Sequence, residues 1–216
     1  MSPADLAAQF RRDVSDQEAP YLWGNEELYL WMDDAQKMFC RLTDGIADAS
    51  ASVCRINVVP GTDWYSVSPK ITKLRFATRA DTGRPVRLLS AEKAPEYGVR
   101  FDGRPGPLNA LVQGLEKNKL RAWPMPDETF TVELGVFRLP LETITEDSQD
   151  FEIDEQHHLG LLHWIKHKAY GKEDAETFDR RKSDEHEQRF IAYCAKAKEE
   201  ENRARHPAGT VAYGGI

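Results

Sequence analysis

The chain has 216 residues, 40% of them apolar and 30% charged, and a net charge of −7. This is a globular composition with enough chain for one large or two small cores, and it excludes a disordered chain, a fibre and a disulfide-stapled mini-protein. Residues 1–50 carry four basic and ten acidic residues, 51–150 carry 14 and 13, and 151–216 carry 11 and 13, so no segment offers the basic footprint that grips a nucleic-acid backbone. Three scattered cysteines, Cys40, Cys54 and Cys194, make neither a disulfide framework nor a zinc spacing and fit a reducing compartment. The uncharged run from Pro105 to Leu115 is far short of the ~20 apolar residues of a membrane span. The opening Met1 to Asp5 lacks the basic and apolar regions of a secretory signal, so none is expected.

The first third reads as helix. Ser2 and Pro3 form a cap and first-turn pair, followed by Leu6, Phe10 and Val14 at helical spacing. Residues 15–24 break this helix around Pro20 and Gly24. A stronger helix follows, with Asn25 as its cap and Glu26 and Glu27 at the positive end of its dipole. At 100° per residue, Leu28, Trp31, Met32, Ala35, Met38, Phe39, Leu42 and Ile46 fall within an arc of about 120°. Asp33, Asp34, Lys37 and Arg41 lie opposite. Leu30 projects from that polar face and is the candidate for a protein contact there.

The middle changes period. Strands are predicted at 52–59, 64–67, 71–78, 85–89 and 99–101, and 110–115 with 119–123 reads as a hairpin around Lys117-Asn118. Residues 129–138 are the clearest strand, with Phe130, Val132, Leu134 and Val136 on one face and Thr131, Glu133, Gly135 and Phe137 on the other. The last third returns to helix. Asp154 is the expected cap of a helix running to Tyr170, with Gly171 as its stop. A short connection at 172–179 leads to a charged helix from about Asp179 to Ala204, on which Phe190, Tyr193, Cys194, Ala197 and Ala204 share a stripe. The expected fold is α+β: a helical bundle from residues 1–50 and 151–205, a central antiparallel β sandwich or small barrel over 51–150, and an extended C-terminal tail at 206–216.

Chemistry is hard to find. His157, His158, His163 and His167 are the one cluster with metal-ligand character. His163 and His167 share a helix face, but His157 and His158 point elsewhere and no HExxH pattern is present, so ordinary surface histidines are expected. Gly103-Arg104-Pro105-Gly106 has prolines where a phosphate cradle needs N–H donors, and no Walker lysine follows. The cysteines lack a local histidine partner and read as core-filling residues. No catalytic constellation, metal or cofactor is expected. The five tryptophans, Trp23, Trp31, Trp64, Trp123 and Trp164, read first as core and hairpin packing and second as interface anchors. In the tail, Val211, Tyr213 and Ile216 supply apolar side chains that a purely solvated terminus does not need.

Five stretches, in order, carry a family resemblance. They are Trp23-Gly24-Asn25-Glu26-Glu27-Leu28 with Ala35; Leu120-Arg121-Ala122-Trp123-Pro124-Met125-Pro126-Asp127; Val132 through Pro140; Ile153-Asp154-Glu155 through His158 and Leu162; and Ala169-Tyr170 through Asp174 to Asp179. Together they resemble the head-to-tail adaptor (connector) proteins of tailed bacteriophages, especially short-tailed ones. The chain departs from that pattern at Asp154, where a proline is usual, and over residues 90–118. The resemblance implies a structural virion protein at the head–tail interface, assembled in the host cytoplasm, with no enzymatic activity. Its implied partners are the portal protein, a tail-tube or nozzle protein, and itself in a closed heterologous ring of about twelve copies. Genome DNA would pass through the channel without tight binding, and no membrane is involved. Leu30, Val211, Tyr213 and Ile216 are the expected portal or subunit contacts, with the tail ordered only in the assembled ring. Another neck or tail-tube protein, or a metal-dependent hydrolase built on the His157–His167 helix, are the alternative readings.

Overall fold

The computed structural model describes residues 1–173 and 176–205. The chain divides into two compact units: Met1–Thr43 with the chain from Pro140 onward, and Asp44–Leu139. The change of period in the sequence lies at about 50 and 150; the contacts divide at 43/44 and 139/140.

The first unit is helical. Helix α1 (Pro3–Val14) starts in a reciprocal capping box: Asp5 N–H donates to Ser2 Oγ and Ser2 N–H to Asp5 Oδ2. Leu6 and Phe10 are fully buried. Helix α2 (Asn25–Leu42) is capped at Gly24, not Asn25; Glu27 reaches back to the Gly24 N–H at 3.4 Å. The Asn25 side chain instead accepts from Arg11 Nη2 at 2.7 Å. That guanidinium also donates to Asp16 Oδ2 (2.7 Å) and to the Trp23 carbonyl (3.1 Å), and it lies over the Tyr21 ring. One buried cation therefore fixes the whole 15–24 connection.

The apolar stripe of α2 is buried at Leu28, Trp31, Met32, Ala35 and Phe39, but Ile46 lies beyond the helix. Its polar face differs from the sequence expectation. Asp33 and Gln36 are buried; the segment after Pro140 lies on Asp33, which accepts from the Ile144 N–H at 3.2 Å and pairs with Lys37.

The predicted helix from Asp154 to Tyr170 is split into a 3-10 stretch, Glu155–Gly160, and helix α3 (Leu161–Tyr170); Asp154 occupies the cap position without a side-chain cap bond. Gly171 ends α3 in a right-handed conformation, so its role is close approach: an added Cβ would lie 3.0 Å from both the His167 carbonyl and Ser183 Oγ. Helix α4 (Arg180–Arg205) returns antiparallel along α3, burying Phe190, Cys194 and Ala197; Ala204 is exposed.

The second unit is built on one eight-stranded sheet, curled on itself into a half-barrel, with a separate two-stranded pair beside it. Its strands are β1 (Ile46–Asp48), β2 (Arg55–Val58), β3 (Trp64–Ser66), β4 (Ile71–Arg79), β5 (Pro85–Ser90), β7 (Ala110–Gln113), β8 (Lys119–Trp123) and β10 (Phe130–Arg138). The order is β1-β10-β4-β5-β7-β8-β3, with β2 also paired to β10. Ile56 and Val58 at one end and Tyr65 at the other enter the same core as Val132, Leu134 and Leu111; strands at opposite ends can share a core only if the sheet curls.

Two features depart from a purely antiparallel module. β5 and β7 pair in parallel, Arg87 opposite Ala110 through Ser90 opposite Gln113, and so do the two-residue β6 (Pro105–Gly106) and β9 (Met125–Pro126). The predicted strand at 99–101 is absent. The β5–β7 connection instead makes a 3-10 turn, Ala94–Tyr97, and Val99 packs with Leu89, Ala94, Ala110, Val112 and Trp123 in a second small core on the outer face of the sheet.

Arg138 at the end of β10 pairs with Asp48 of β1, Nε to Oδ2 at 2.6 Å, with side chains 10% and 8% exposed. Burial alone would raise the Asp48 carboxyl. The N–H groups of Ser50 and Ala51, the Ser50 hydroxyl and Arg138 outweigh it and hold the group well below its ordinary value of 3.8. A depressed carboxylate contributes its stability above that ordinary value and loses it as pH falls below. Asp48→Asn leaves Arg138 without this partner and is expected to cost about 3 kcal/mol in denaturant unfolding at neutral pH, and to remove part of the acid sensitivity of the wild type.

At Gly160, an added Cβ would fall 2.3 Å from the Tyr193 ring, which is held by His157 Nδ1 at 2.9 Å. Gly160→Ala is expected to cost about 1–3 kcal/mol, read as a lower midpoint in tryptophan-fluorescence unfolding.

Candidate functional site

The histidines lie where the 3-10 stretch meets α3, and the structure sends each to a different partner. His157 is 5% exposed; its Nδ1 faces the Tyr193 hydroxyl and its ring lies 4.7 Å from that of Phe39. His158 is 4% exposed, with Nδ1 2.9 Å from the Met1 carbonyl and Nε2 3.1 Å from the Ile153 carbonyl. His163 Nδ1 faces His186 Nδ1 at 3.3 Å, and His167 Nδ1 faces the carbonyl and hydroxyl of Ser183 at 3.1 and 3.0 Å. The expectation of surface histidines is therefore corrected: two are buried and all four are engaged.

The pairs 163 with 186 and 167 with 183 are successive rungs of the α3–α4 hairpin, so the cluster is a polar seam between two helices. Among the described residues, no group of three or more His, Cys, Asp or Glu is placed to hold a metal ion. No helix among them is long and apolar enough to cross a membrane.

The other sequence candidates resolve as follows. All three cysteines are buried. Burial pushes the Cys54 thiol up and that of Cys194 up to about 12, which disfavours the thiolate a nucleophile needs. Trp23, Trp31 and Trp164 are buried in the helical unit, where Trp23 Nε1–H donates to the Ala169 carbonyl (3.2 Å) and Trp164 Nε1–H to Asp34 Oδ2 (2.8 Å). These three are not free to anchor a partner. Trp64 and Trp123 are half-buried; the Arg121 guanidinium, held by Asp63 at 2.9 Å, sits 5.2 Å from the Trp64 ring.

Leu30 is 63% exposed, as its position on the polar face of the helix predicts. Val211, Tyr213 and Ile216 lie outside the described residues. Sequence reasoning missed Leu159, 55% exposed in the 3-10 stretch, and Phe178 and Ile191, 47% and 48% exposed. For Leu159 the helical period misleads, because a 3-10 turn advances each side chain by about 120°.

Burial, with Lys166, His163 and Arg189 beside it, pushes the His186 imidazole down to about 4; burial, Lys166 and Arg189 also lower His163. A histidine depressed in this way binds its proton more readily in the unfolded chain. Its contribution to stability is complete above the ordinary value of 6.5 and is lost as pH falls towards 4. The melting temperature should fall across that window, and His186→Gln should flatten the fall. Parallel curves for the two proteins would show that His186 does not carry the dependence.

No curated protein matches the chain. A family model described as SU10 adaptor protein matches residues 1–212. With helices at both ends of the chain, a curled sheet between them and a histidine cluster that serves as helix packing, the match extends over almost every residue: the chain belongs to the SU10 adaptor protein family.

Proposed function

We propose that this chain is a structural virion protein, a head-to-tail adaptor that forms a closed ring beneath the portal of a tailed phage and joins the DNA-filled head to the tail. The observation that carries the reading is the family match over residues 1–212. The chemistry supports it: the cysteines are buried, His163, His167 and His186 are spent on the α3–α4 contact, and the net charge is −7. A negative chain lines a path for DNA without holding it.

In this reading the helical elements and the C-terminal tail engage the portal, and the β module faces the next tail component, a tube or nozzle protein. Each copy uses two different faces, as a closed heterologous ring requires. Leu30 offers an apolar contact at no cost to the fold, being 63% exposed. Val211, Tyr213 and Ile216 sit among three glycines in an eleven-residue segment, too short to bury them against one another.

Fixing such a segment costs about 1–2 kcal/mol per residue, and burying the three side chains returns about 1.5–3 kcal/mol each. Strand addition to a partner would supply the rest, and a ring of tethered copies multiplies a weak single contact.

Deleting residues 207–216 should leave the melting temperature unchanged and impair attachment to the portal in a co-sedimentation assay, and Leu30→Asp should do the same to a lesser degree. A truncated chain that attaches as well as the full-length one excludes this role for the tail.

A further inference from the structure

The two units differ in charge. Asp44–Leu139 has 14 basic and 11 acidic residues, and the remainder of the chain has 15 basic and 25 acidic. From Leu139 to Ile165 there are seven carboxylates and no lysine or arginine.

Three of the cations of Asp44–Leu139 lie on the outer face of β4 and β5. Lys73 and Arg75 of β4 reach over the Phe137 ring at 5.8 and 4.9 Å. Phe76 pairs with Gly135 of β10 and lays its ring where a Cβ at that glycine would be, 2.2 Å away. Arg87 of the neighbouring β5 lies 5.9 Å from the ring of Tyr97. Phe76 is 47% and Tyr97 52% exposed, and Lys73, Arg75 and Arg87 are exposed and in no ion pair among the described residues. Exposed aromatic rings alongside arginines are the composition of an interface centre, not of an ordinary solvated sheet face.

The complementary surface is on the same chain. Glu142, Glu146, Asp147 and Asp150 are all exposed and form no ion pair among the described residues. The segment that bears them is held firmly: Ile144, Phe151 and Ile153 are buried, and Glu152 Oε1 accepts the N–H groups of Leu141 and Glu142 at 2.5 and 2.8 Å. Among the described residues neither set has an ion-pair partner, and every copy carries one set of each.

We propose that the occupant of the β4–β5 outer face is the acidic 142–150 segment of a second copy of this chain, so that neighbours join face to segment around the ring. The inference rests on the ring reading above and names the surfaces by which it closes. A sheet face on one copy and a loop on the next make a heterologous contact, which propagates in one direction and closes by rotation. Opposite charges on the two surfaces fix that direction, because face against face and segment against segment repel.

The test is mass photometry of the full chain at low and high salt. Four proteins are compared: wild type, Lys73→Glu/Arg75→Glu/Arg87→Glu, Glu142→Lys/Glu146→Lys/Asp147→Lys/Asp150→Lys, and the chain carrying both sets. Wild type should assemble and lose its rings at high salt. Each single set should abolish rings at low salt, and the combined chain should recover them. The rescue separates lost complementarity from misfolding, which a second set of substitutions cannot repair.

Rings that persist in both single sets overturn the proposal while leaving the adaptor reading intact. So does a combined chain that fails to recover. A wild type that stays monomeric overturns the ring reading and this inference together. A duplex DNA probe run in parallel identifies the other occupant: intact rings with DNA retention lost in the sheet-face set would assign that face to the polynucleotide.

Discussion

The helical unit depends on closing a seam between two pieces of chain that the whole β module separates. The seam is made of polar groups that reach from one piece to the other. Asp34 accepts from Trp164, Trp23 donates to the Ala169 carbonyl, Asp33 accepts from the Ile144 N–H, and Glu27 and Asp13 pair with Lys172 and Lys166. Loop-closure entropy rises only with the logarithm of the intervening length, so a large insertion is tolerated provided the seam is well made. The buried Arg11 clamp serves the same end from within the first piece: it sets the 15–24 connection so that Trp23 arrives between Phe10 and Tyr170, edge-on to both.

The parts of this fold that were legible in the sequence are those with a local cause. The Ser2 cap, the apolar stripe from Leu28 to Phe39 and the alternation of Phe130 to Val136 each follow from neighbours within one element. What escaped was caused from far along the chain. Asp33 reads as a solvated carboxylate until the segment from Pro140 lies over it. The parallel pairing of β5 and β7 has no signature, because its crossover carries a single 3-10 turn where such connections usually carry a helix. His157 and His158 look exposed because their partners, Tyr193 and Met1, are 36 and 157 residues away. The exposure of Leu30 was legible because a lone leucine on a charged helix face stands out against its period.

The α3–α4 hairpin shows how a metal-like histidine pattern arises without a metal. Two antiparallel helices pack through Trp164 and Phe190, and His163, His167 and His186 line the contact beside them. An imidazole is flat, half apolar and able to donate or accept, so it fills such a contact while closing a cross-helix hydrogen bond. The charged side of α4 is organised differently, by pairs four residues apart: Arg180 with Asp184, Glu185 with Arg189, Glu199 with Arg203 and Glu201 with Arg205. Each such pair adds only a few tenths of a kcal/mol, and their repetition supports helix where burial is sparse.

The place of β10 in the sheet has a consequence for the order of events on the ribosome. It is the last strand of its unit in sequence, yet β1, β2 and β4 all pair with it. Until Arg138 has emerged, those three strands lack the partner they share, and the core around Val132, Leu134 and Val136 has no centre. Strands β3, β4, β5, β7 and β8 can pair before β10 emerges, but β1 and β2 cannot join them, so the sheet and its core are completed only by the last strand. α1 and α2 wait longer still, because α3, which completes their packing, is translated after the entire sheet.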